Sequence, residues 1–215
     1  MSNELYSEKK FIFMTLDPIH IGTGGTNLGI VDNTIVREAG SNIPIIPGTS
    51  ISGAARMYAA MLMGDLDAAG SKKSKSTENP VSYTFGYING NGSEQSSKAG
   101  VVSFSDARIV LFPVYSSEGT IWVTTRAMLN EIGLDVKGLS PNEEKAYHLS
   151  GAGENGKIKI GWLYIDVENL AVEKPKLDDL AGKSEWKLVE QKIYMVSDRL
   201  FTQIVNDNLE TRTSV

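Results

Sequence analysis

Residues 43–56 read IPIIPGTSISGAAR, and this stretch decides how the first part of the chain folds. Its prolines favour an extended backbone, because proline has no amide donor and restricts the residue before it. Thr49 and Ser50 are preferred N-cap residues, and the strong helix formers of ARMYAAML follow them. We therefore expect a helix that ends near Gly64. Apolar positions at helical spacing predict a buried face made of Ile51, Ala54, Ala55, Tyr58 and Leu62.

A glycine-rich loop precedes this helix. Residues 11–16, FIFMTL, are typical of a short buried strand that ends at Asp17-Pro18. Residues 21–30, IGTGGTNLGI, contain four glycines, and Ile35-Val36 predicts extended structure after them. Dinucleotide-binding and phosphate-loop motifs are excluded, because neither a helix nor a GK[ST] sequence follows the glycines. The loop is either a tight strand connection or a place where backbone amides approach an anion.

Downstream of the helix, short elements alternate with irregular segments. Residues 65–98 and 133–160 lack periodicity and are predicted insertions. The expected elements are strands at 101–104, 108–112 and 120–125, a helical turn at 126–131, a hairpin arm at 157–167 and a helix at 197–206 capped by Ser197 or Asp198. This order predicts an α+β fold of the ferredoxin or RNA-recognition-motif type, with residues 1–215 forming a single domain.

Composition restricts the functions that such a domain can have. The 215 residues include no cysteine, which excludes disulfide scaffolds and thiolate metal sites and suits a cytoplasmic location. The polar N-terminus predicts neither a signal peptide nor a membrane span, so we expect no membrane partner. The net charge of −5 argues against RNA binding by a uniformly basic surface. Nucleic-acid recognition would therefore require a local site.

The start of the predicted helix is a candidate for such a local site. Amide groups at a helix N-terminus and the positive end of the helix dipole favour a phosphate. Thr49, Ser50 and Ser52 add hydroxyl groups, and Arg56 adds a cation about two turns into the helix. An ordinary capped helix explains the same residues equally well, so both interpretations stay open.

Asp32 and the histidines are the candidates for chemistry. Asp32 follows the glycine loop within LGIVDN, where it is either a turn-capping residue or a displayed carboxylate. His20 and His148 are the only two histidines. They permit a general acid–base nuclease, although the sequence does not place them together, and a structural role for His20 is the simpler interpretation.

A family resemblance adds to this interpretation of the residues. The segments that carry it, in order, are PIHIGTGGTNLGIVDNTIVRE, IPIIPGTSISGAAR, Phe85-Gly86, AGVVSFSDARIVLFPV, WVTT and VSDRLF. Together they resemble the Cmr-type backbone subunit of the RAMP (repeat-associated mysterious protein) superfamily in type III CRISPR effectors. The helix pattern is shared widely among RAMP proteins, whereas the SFSDAR block is more specific to the Cmr branch.

The resemblance implies a modified RNA-recognition-motif palm with a hairpin thumb, copies of which stack along a guide RNA together with other effector subunits. It implies that complementary target RNA is cleaved at regular intervals by a metal-dependent endoribonuclease site, with Asp32 at the position of the required aspartate and Mg²⁺ or Mn²⁺ as cofactor. The residues that it implies for RNA binding are Gly24, Gly25, Gly48, Thr49, Ser50, Ser52, Gly53 and Arg56.

Two departures from the family pattern matter. Ser52 stands where relatives commonly carry lysine, so one phosphate contact is expected to be neutral and binding less sensitive to salt. The family fold also continues past the VSDRLF helix, so part of it is expected outside these residues or from another chain. Two alternatives to the nuclease subunit stay open. One is a purely structural guide-RNA-binding subunit, and the other is a stand-alone guide-processing endoribonuclease that uses His20.

Overall fold

The computed structural model describes residues 6–24, 34–70, 79–89, 96–133, 136, 141–149, 156–170 and 184–210. The chain divides into two units, Met1–Val36 and Arg37–Val215. Within the described ranges, no helix is both long enough and apolar enough to cross a membrane.

In the first unit, two short extended pieces on either side of residues 25–33 pair with each other, and the second piece contains Ile35-Val36, where extended structure was predicted. The Thr23 amide donates to the Thr34 carbonyl at 2.9 Å, and the Val36 amide donates to the Ile21 carbonyl at 2.9 Å. Gly22 and Ile35 form an isolated antiparallel bridge. Residues 21–23 and 34–36 are therefore held next to each other by backbone hydrogen bonds.

The prediction of a buried strand at residues 11–16 is wrong. These residues form no strand, and the side chains of Phe11 and Leu16 are 80% and 85% exposed. A strand is stabilised by the ladder that it forms with a neighbour, and β-propensity alone does not supply one. No described residue pairs with the backbone of this segment.

The second unit mixes helices and strands. Its helices are α1 (Gly48–Leu62), α2 (Pro80–Phe85), α3 (Arg126–Glu131), α4 (Ser184–Val189) and α5 (Asp198–Asp207), with a 3₁₀ turn at Leu66–Ala68. Its strands are β1 (Ile45–Ile46), β2 (Gly86–Asn89), β3 (Ser96–Ala99), β4 (Ala107–Arg108), β5 (Phe112–Ser116), β6 (Gly119–Thr125), β7 (Lys145–His148), β8 (Gly156–Ile160), β9 (Leu163–Asn169) and β10 (Ile193–Val196).

Six strands close on themselves in the order β10-β6-β5-β8-β9-β7. The β6–β10 and β7–β9 pairs are parallel and the others are antiparallel. Alternating residues of β8 and β9 point inward, so Ile158, Ile160 and Ile165 are buried while Lys157 and Lys159 are exposed. The largest apolar cluster joins these inward-facing residues to the apolar side of α5. The predicted hairpin at 157–167 is confirmed, and its strands are part of this closed sheet.

Elements with local sequence signals are confirmed. α3 covers the predicted residues 126–131, β6 contains 120–125, and α5 begins after Ser197, whose Oγ accepts from the Leu200 amide at 3.2 Å. Two strand predictions fail: residues 101–104 form no strand, and 108–112 is divided between the end of β4 and the start of β5.

The segment 65–98, predicted to be without periodicity, contains α2 and β2 within its described part. Asn79 caps α2, because its Oδ1 accepts from the Val81 amide at 2.9 Å and the Ser82 amide at 3.1 Å. Pro80 occupies the first helical position, where its missing amide costs nothing. β2 then pairs with β3 as a separate two-stranded sheet.

The details of α1 correct the sequence prediction. The helix begins at Gly48 with Pro47 at the N-cap position, and Pro47 makes no side-chain capping hydrogen bond, so neither Thr49 nor Ser50 is the N-cap residue. Tyr58 and Leu62, predicted to be buried, are 70% and 83% exposed. The helix instead packs through Ala60 against Ala68 and Val81, because its described neighbours are the 3₁₀ turn and α2 rather than a sheet.

Candidate nucleic-acid interface

A groove of about 410 Å³ opens beside the first two turns of α1. It is lined by Gly48, Thr49, Ser52, Gly53, Arg56, Phe85, Val102, Ser103 and Phe104. Five of the residues predicted to bind RNA are thus brought together, and only Ser50 among the predicted α1 residues lies outside the lining. The remaining walls come from the end of α2 and from the irregular segment 102–104, which sequence reasoning did not assign to a site.

Arg56 is held at the groove by the backbone of the 3₁₀ turn. Its Nε donates to the Ala68 carbonyl at 2.8 Å, which fixes the plane of the guanidinium group. Its Nη2 is buried and has no hydrogen-bond partner in the part of the chain that the structure describes. An unpaired buried donor costs about 1–3 kcal/mol. A phosphate oxygen is a suitable acceptor for this nitrogen, because guanidinium–phosphate hydrogen bonds are charge-assisted.

The first amide of α1 is not available to a ligand. The Gly48 amide donates to Asp106 Oδ1 at 2.8 Å, so a carboxylate from the segment before β4 caps the helix. This negative charge offsets the positive end of the helix dipole, which was the basis for predicting a phosphate there. An anion is therefore better accommodated at the flank of the helix, beside Thr49, Ser52 and Arg56, than on its axis.

Gly48 also explains why the loop 104–105 can form a groove wall. A Cβ atom at this position would lie 2.2 Å from the Phe104 carbonyl oxygen and 3.0 Å from the Ser105 carbonyl carbon. Only a residue without a side chain permits this contact between two backbones. Gly53, one turn further along α1, has nothing within 4 Å of its own Cβ position, so its surface is open to the groove.

Two phenyl rings form the apolar side of the groove. Phe85 and Phe104 are parallel, with an interplanar angle of 2° and ring centroids 6.0 Å apart. Gly86 has a φ of 83°, and a Cβ at Gly100 would lie 2.4 Å from the Thr84 carbonyl oxygen, so both glycines are required where the chain turns next to Phe85. The groove therefore combines hydroxyl and guanidinium groups with aromatic rings, as a nucleotide requires.

The other predicted site residues lie in the first unit or outside the described residues. Gly24 is exposed, has a φ of 74° and has nothing within 4 Å of its Cβ position. His20 is exposed. Gly25 and Asp32 lie outside the described residues, so their RNA-binding and catalytic roles stay predictions.

His148 has a structural role. It is buried, its Nδ1 lies 3.2 Å from Asn169 Oδ1, and its Nε2 lies 3.0 Å from the Gln191 carbonyl oxygen. Its ring stacks on Tyr194 at 4.6 Å between centroids. Since both ring nitrogens are engaged, the sequence hypothesis of a nuclease that uses His20 and His148 loses its support.

Tyr194 is the residue whose ionisation the fold changes most clearly. Its hydroxyl donates to Glu118 Oε2 at 3.0 Å. Burial, together with the Glu118 carboxylate, raises the pKa of Tyr194 well above its ordinary value. The phenol therefore stays protonated and acts as a permanent donor. Among the described residues, no group of three or more histidine, aspartate or glutamate side chains is arranged to hold a metal ion.

The sequence matches a known family and a characterised relative. The model of the RAMP superfamily matches residues 12–201. The chain is 31% identical over 182 residues to the CRISPR system Cmr endoribonuclease Cmr4 of Pyrococcus furiosus. That match covers 84% of this chain and 48% of the relative, so the chain spans about half of the relative's length.

Solved structures show the same fold at lower identity. Oligomeric Cmr4 from Pyrococcus furiosus superposes with a TM-score of 0.61 and 20% identity, over 92% of this chain and 71% of that one. A type III-B Cmr-beta complex bound to cognate target RNA contains a chain with a TM-score of 0.53 and 16% identity, over 87% of this chain and 65% of that one. The predicted α+β class, with a modified ferredoxin-like RAMP palm, is confirmed.

Proposed function

This chain belongs to the RAMP superfamily, and from that premise we propose that it is a backbone subunit of a type III CRISPR ribonucleoprotein that binds guide RNA and cleaves complementary target RNA at regular intervals. The observation that carries the proposal is the groove beside α1, where Thr49, Ser52, Gly53 and Arg56 converge. All four are residues that the family resemblance implies for RNA binding.

The groove suits the sugar-phosphate backbone rather than a particular base. Arg56 offers a phosphate its positive charge, and its Nη2 has no hydrogen-bond partner among the described residues, while the hydroxyl groups of Thr49 and Ser52 offer donors that rotate to fit. Gly53 lets the RNA backbone approach the helix closely. Contacts of this kind fix the register of an RNA without selecting its sequence, as a subunit that carries different guides requires.

Cleavage in this proposal depends on Asp32. Its carboxylate would hold a hydrated divalent cation, Mg²⁺ or Mn²⁺, or would orient the 2′-hydroxyl, whose oxygen attacks the adjacent phosphate while the bond from phosphorus to the 5′-oxygen of the next nucleotide breaks. A bound cation would supply charge neutralisation at the phosphate. The support for Asp32 comes from the family pattern and from its place after the glycine loop, whose flanking residues Thr23 and Thr34 are hydrogen-bonded to each other.

Partner subunits are the second component of the proposal. α1 exposes Met57, Tyr58, Met61 and Leu62, and an exposed apolar face of this kind is typical of a protein-contact surface. We propose that copies of this chain and other effector subunits cover such surfaces along the guide RNA. The cysteine-free sequence suits the cytoplasm, where we place the complex.

A purely structural RNA-binding subunit is the second candidate, because the described features of the groove suit RNA binding and include no group that was predicted to cut RNA. The test uses assembled particles with guide RNA, in which Asp32→Asn is compared with Asp17→Asn. We expect Asp32→Asn to lower the rate of target cleavage by roughly a hundredfold or more with guide and target binding unchanged, and Asp17→Asn to cleave normally.

Cleavage at the wild-type rate by Asp32→Asn would instead establish the structural subunit. Chelation with EDTA, followed by addition of Mg²⁺ or Mn²⁺, tests the metal separately. Wild-type activity that persists in EDTA would remove the cation from the proposal while leaving Asp32 in place.

A further inference from the structure

Three neighbouring strands of the closed sheet present aromatic and basic side chains on their outer face. Tyr115 on β5 and Tyr164 on β9 are 76% and 69% exposed, and Trp162, at the turn between β8 and β9, is 70% exposed. Lys157 and Lys159 on β8 are also exposed. None of these residues lines the groove beside α1.

The strand register places Tyr115, Lys159 and Tyr164 in one row, here called the tyrosine–lysine row. Lys159 pairs directly with Tyr164 across β8 and β9. Ser116 pairs with Ile160, and both side chains are buried, so the adjacent residues Tyr115 and Lys159 point outward as diagonal neighbours. Adjacent strands lie about 4.8 Å apart and Tyr115 is offset by two residues along the strand direction, so the two tyrosines are separated by about 12 Å with the lysine between the two strands that carry them.

The charges around the row are mixed, with Lys157 and Lys159 on β8, Asp166 on β9 and Glu118 in the turn between β5 and β6, in a chain whose net charge is −5. No salt bridge within the described residues involves Lys159. The Nζ atom of Lys157 lies 2.7 Å from Asp166 Oδ1 and 5.3 Å from the centre of the Tyr164 ring. Lys157 is therefore paired with Asp166, and Lys159 is the lysine of this surface that has no ion pair among the described residues. Gly161, with a φ of 57°, makes the tight turn that leaves Trp162 at the end of the hairpin.

We propose that this outer face is a second RNA-binding surface, on which single-stranded RNA stacks its bases against Tyr115, Tyr164 and Trp162 and places a phosphate at Lys159. Aromatic rings that alternate with cations are the arrangement by which proteins hold single strands without selecting sequence. Only unpaired bases offer a free face to these rings, so a duplex would not bind in this way.

A protein partner fits the same face less well. The central part of a protein interface is depleted in lysine, whereas here Lys159 stands between the two tyrosines. The outward positions of β8 and β9 near the row are Lys157, Lys159, Tyr164 and Asp166, and none of them is aliphatic. The face therefore lacks the contiguous apolar patch that marks a docking surface.

The test compares two double variants of the full chain, Tyr115→Leu with Tyr164→Leu and Tyr115→Phe with Tyr164→Phe. Binding of a fluorescein-labelled 20-mer of oligouridine is measured by anisotropy. The leucine pair keeps apolar bulk but removes both rings, so its affinity should fall by at least about tenfold. The phenylalanine pair keeps the rings and should bind within about twofold of wild type. Thermal unfolding controls for folding, which these exposed positions should not affect.

Combining the leucine pair with Arg56→Gln distinguishes this surface from the groove. Losses that multiply in the combined variant support two separate surfaces. If Arg56→Gln binds RNA normally and the leucine pair loses affinity, RNA binding in the groove is contradicted and RNA binding at the outer face is supported. If the leucine pair binds RNA with wild-type affinity, the proposal of a second RNA-binding surface is overturned, regardless of the result for Arg56→Gln. Weakened self-association of the leucine pair in light scattering, without loss of RNA affinity, assigns the face to a protein partner and also overturns it.

Discussion

Replacing Gly48 by alanine should destabilise the second unit, although alanine is the better helix former. The added Cβ would lie 2.2 Å from the Phe104 carbonyl oxygen, 2.9 Å from the Phe104 carbonyl carbon and 3.0 Å from the Ser105 carbonyl carbon. All three atoms are backbone, so no side-chain rotation relieves the clash. The segment that lines the groove must move away from α1, and the Gly48–Asp106 hydrogen bond lengthens with it.

Two opposing effects set the size of this change. Alanine in place of glycine inside a helix stabilises it by about 0.5–1 kcal/mol. Overpacking a close contact typically costs about 1–3 kcal/mol, and loss of the amide–carboxylate hydrogen bond adds about 1 kcal/mol. The clash exceeds the helix gain, so we expect Gly48→Ala to lower the free energy of unfolding by about 1–3 kcal/mol.

Gly53→Ala is the matched control in the same helix. Nothing lies within 4 Å of its Cβ position, so only the helix propensity remains and the free energy of unfolding should rise by about 0.5–1 kcal/mol. Urea unfolding followed by circular dichroism measures both variants. The added methyl group should nevertheless weaken RNA binding, because it narrows the groove. If Gly48→Ala stabilises the protein as much as Gly53→Ala does, the close contact between α1 and residues 104–105 is refuted.

Two further predictions concern charge and ionisation. Asp106→Asn keeps an oxygen that accepts from the Gly48 amide but removes a negative charge beside the groove. RNA affinity should therefore rise by about two- to fivefold. Unchanged affinity would contradict the assigned position of the phosphate. The raised pKa of Tyr194 contributes to the free energy of unfolding, and this contribution is fully present below about pH 10. It is lost as the pH rises towards the pKa of Tyr194 in the folded protein, because the unfolded chain releases its phenolic proton first. Urea titrations between pH 8 and 11 should therefore show a steeper loss of stability for wild type than for Tyr194→Phe, and parallel curves would contradict the burial of this phenol.

The sequence predicts elements whose signals are local. α3 and α5 follow Thr125 and Ser197, whose hydroxyl oxygens accept from amides three residues later, and both helices begin where expected. The β8–β9 hairpin likewise follows from its own alternation of apolar and polar residues. In these cases the residues that determine the structure are neighbours along the chain.

Features that depend on distant residues were not predictable in the same way. The exposed face of α1 satisfies helical spacing, but which face packs is decided by Ala68 and Val81, which follow the helix in sequence. Residues 11–16 have the composition of a strand, but a strand also needs an edge to pair with. Asp106 caps α1 from fifty-eight residues away, a contact for which periodicity gives no signal.

The groove likewise combines residues that local sequence predicts with residues that only tertiary contacts place. Thr49, Ser52 and Arg56 are predicted as binding residues because they share one helix start, and the family resemblance adds Gly53. Phe85 and Phe104 belong to the Phe-Gly and SFSDAR segments that carry the family resemblance, but no sequence pattern assigns their rings to a site. Their parallel rings beside Arg56 result from close backbone contacts at Gly48, Gly86 and Gly100, which are tertiary contacts.

The salt dependence of RNA binding tests the central claim most directly, through Arg56→Gln and the charge-matched control Arg199→Gln. Glutamine keeps a donor for the Ala68 carbonyl but loses the cation, while Arg199 is an exposed residue of α5 paired with Glu143. Single-stranded RNAs of unrelated sequence are titrated at several salt concentrations. We predict that Arg56→Gln lowers affinity by about tenfold or more for every sequence and reduces the slope of log K against log salt by about 0.7, with Arg199→Gln close to wild type. Equal behaviour of the two variants would contradict RNA binding in the α1 groove.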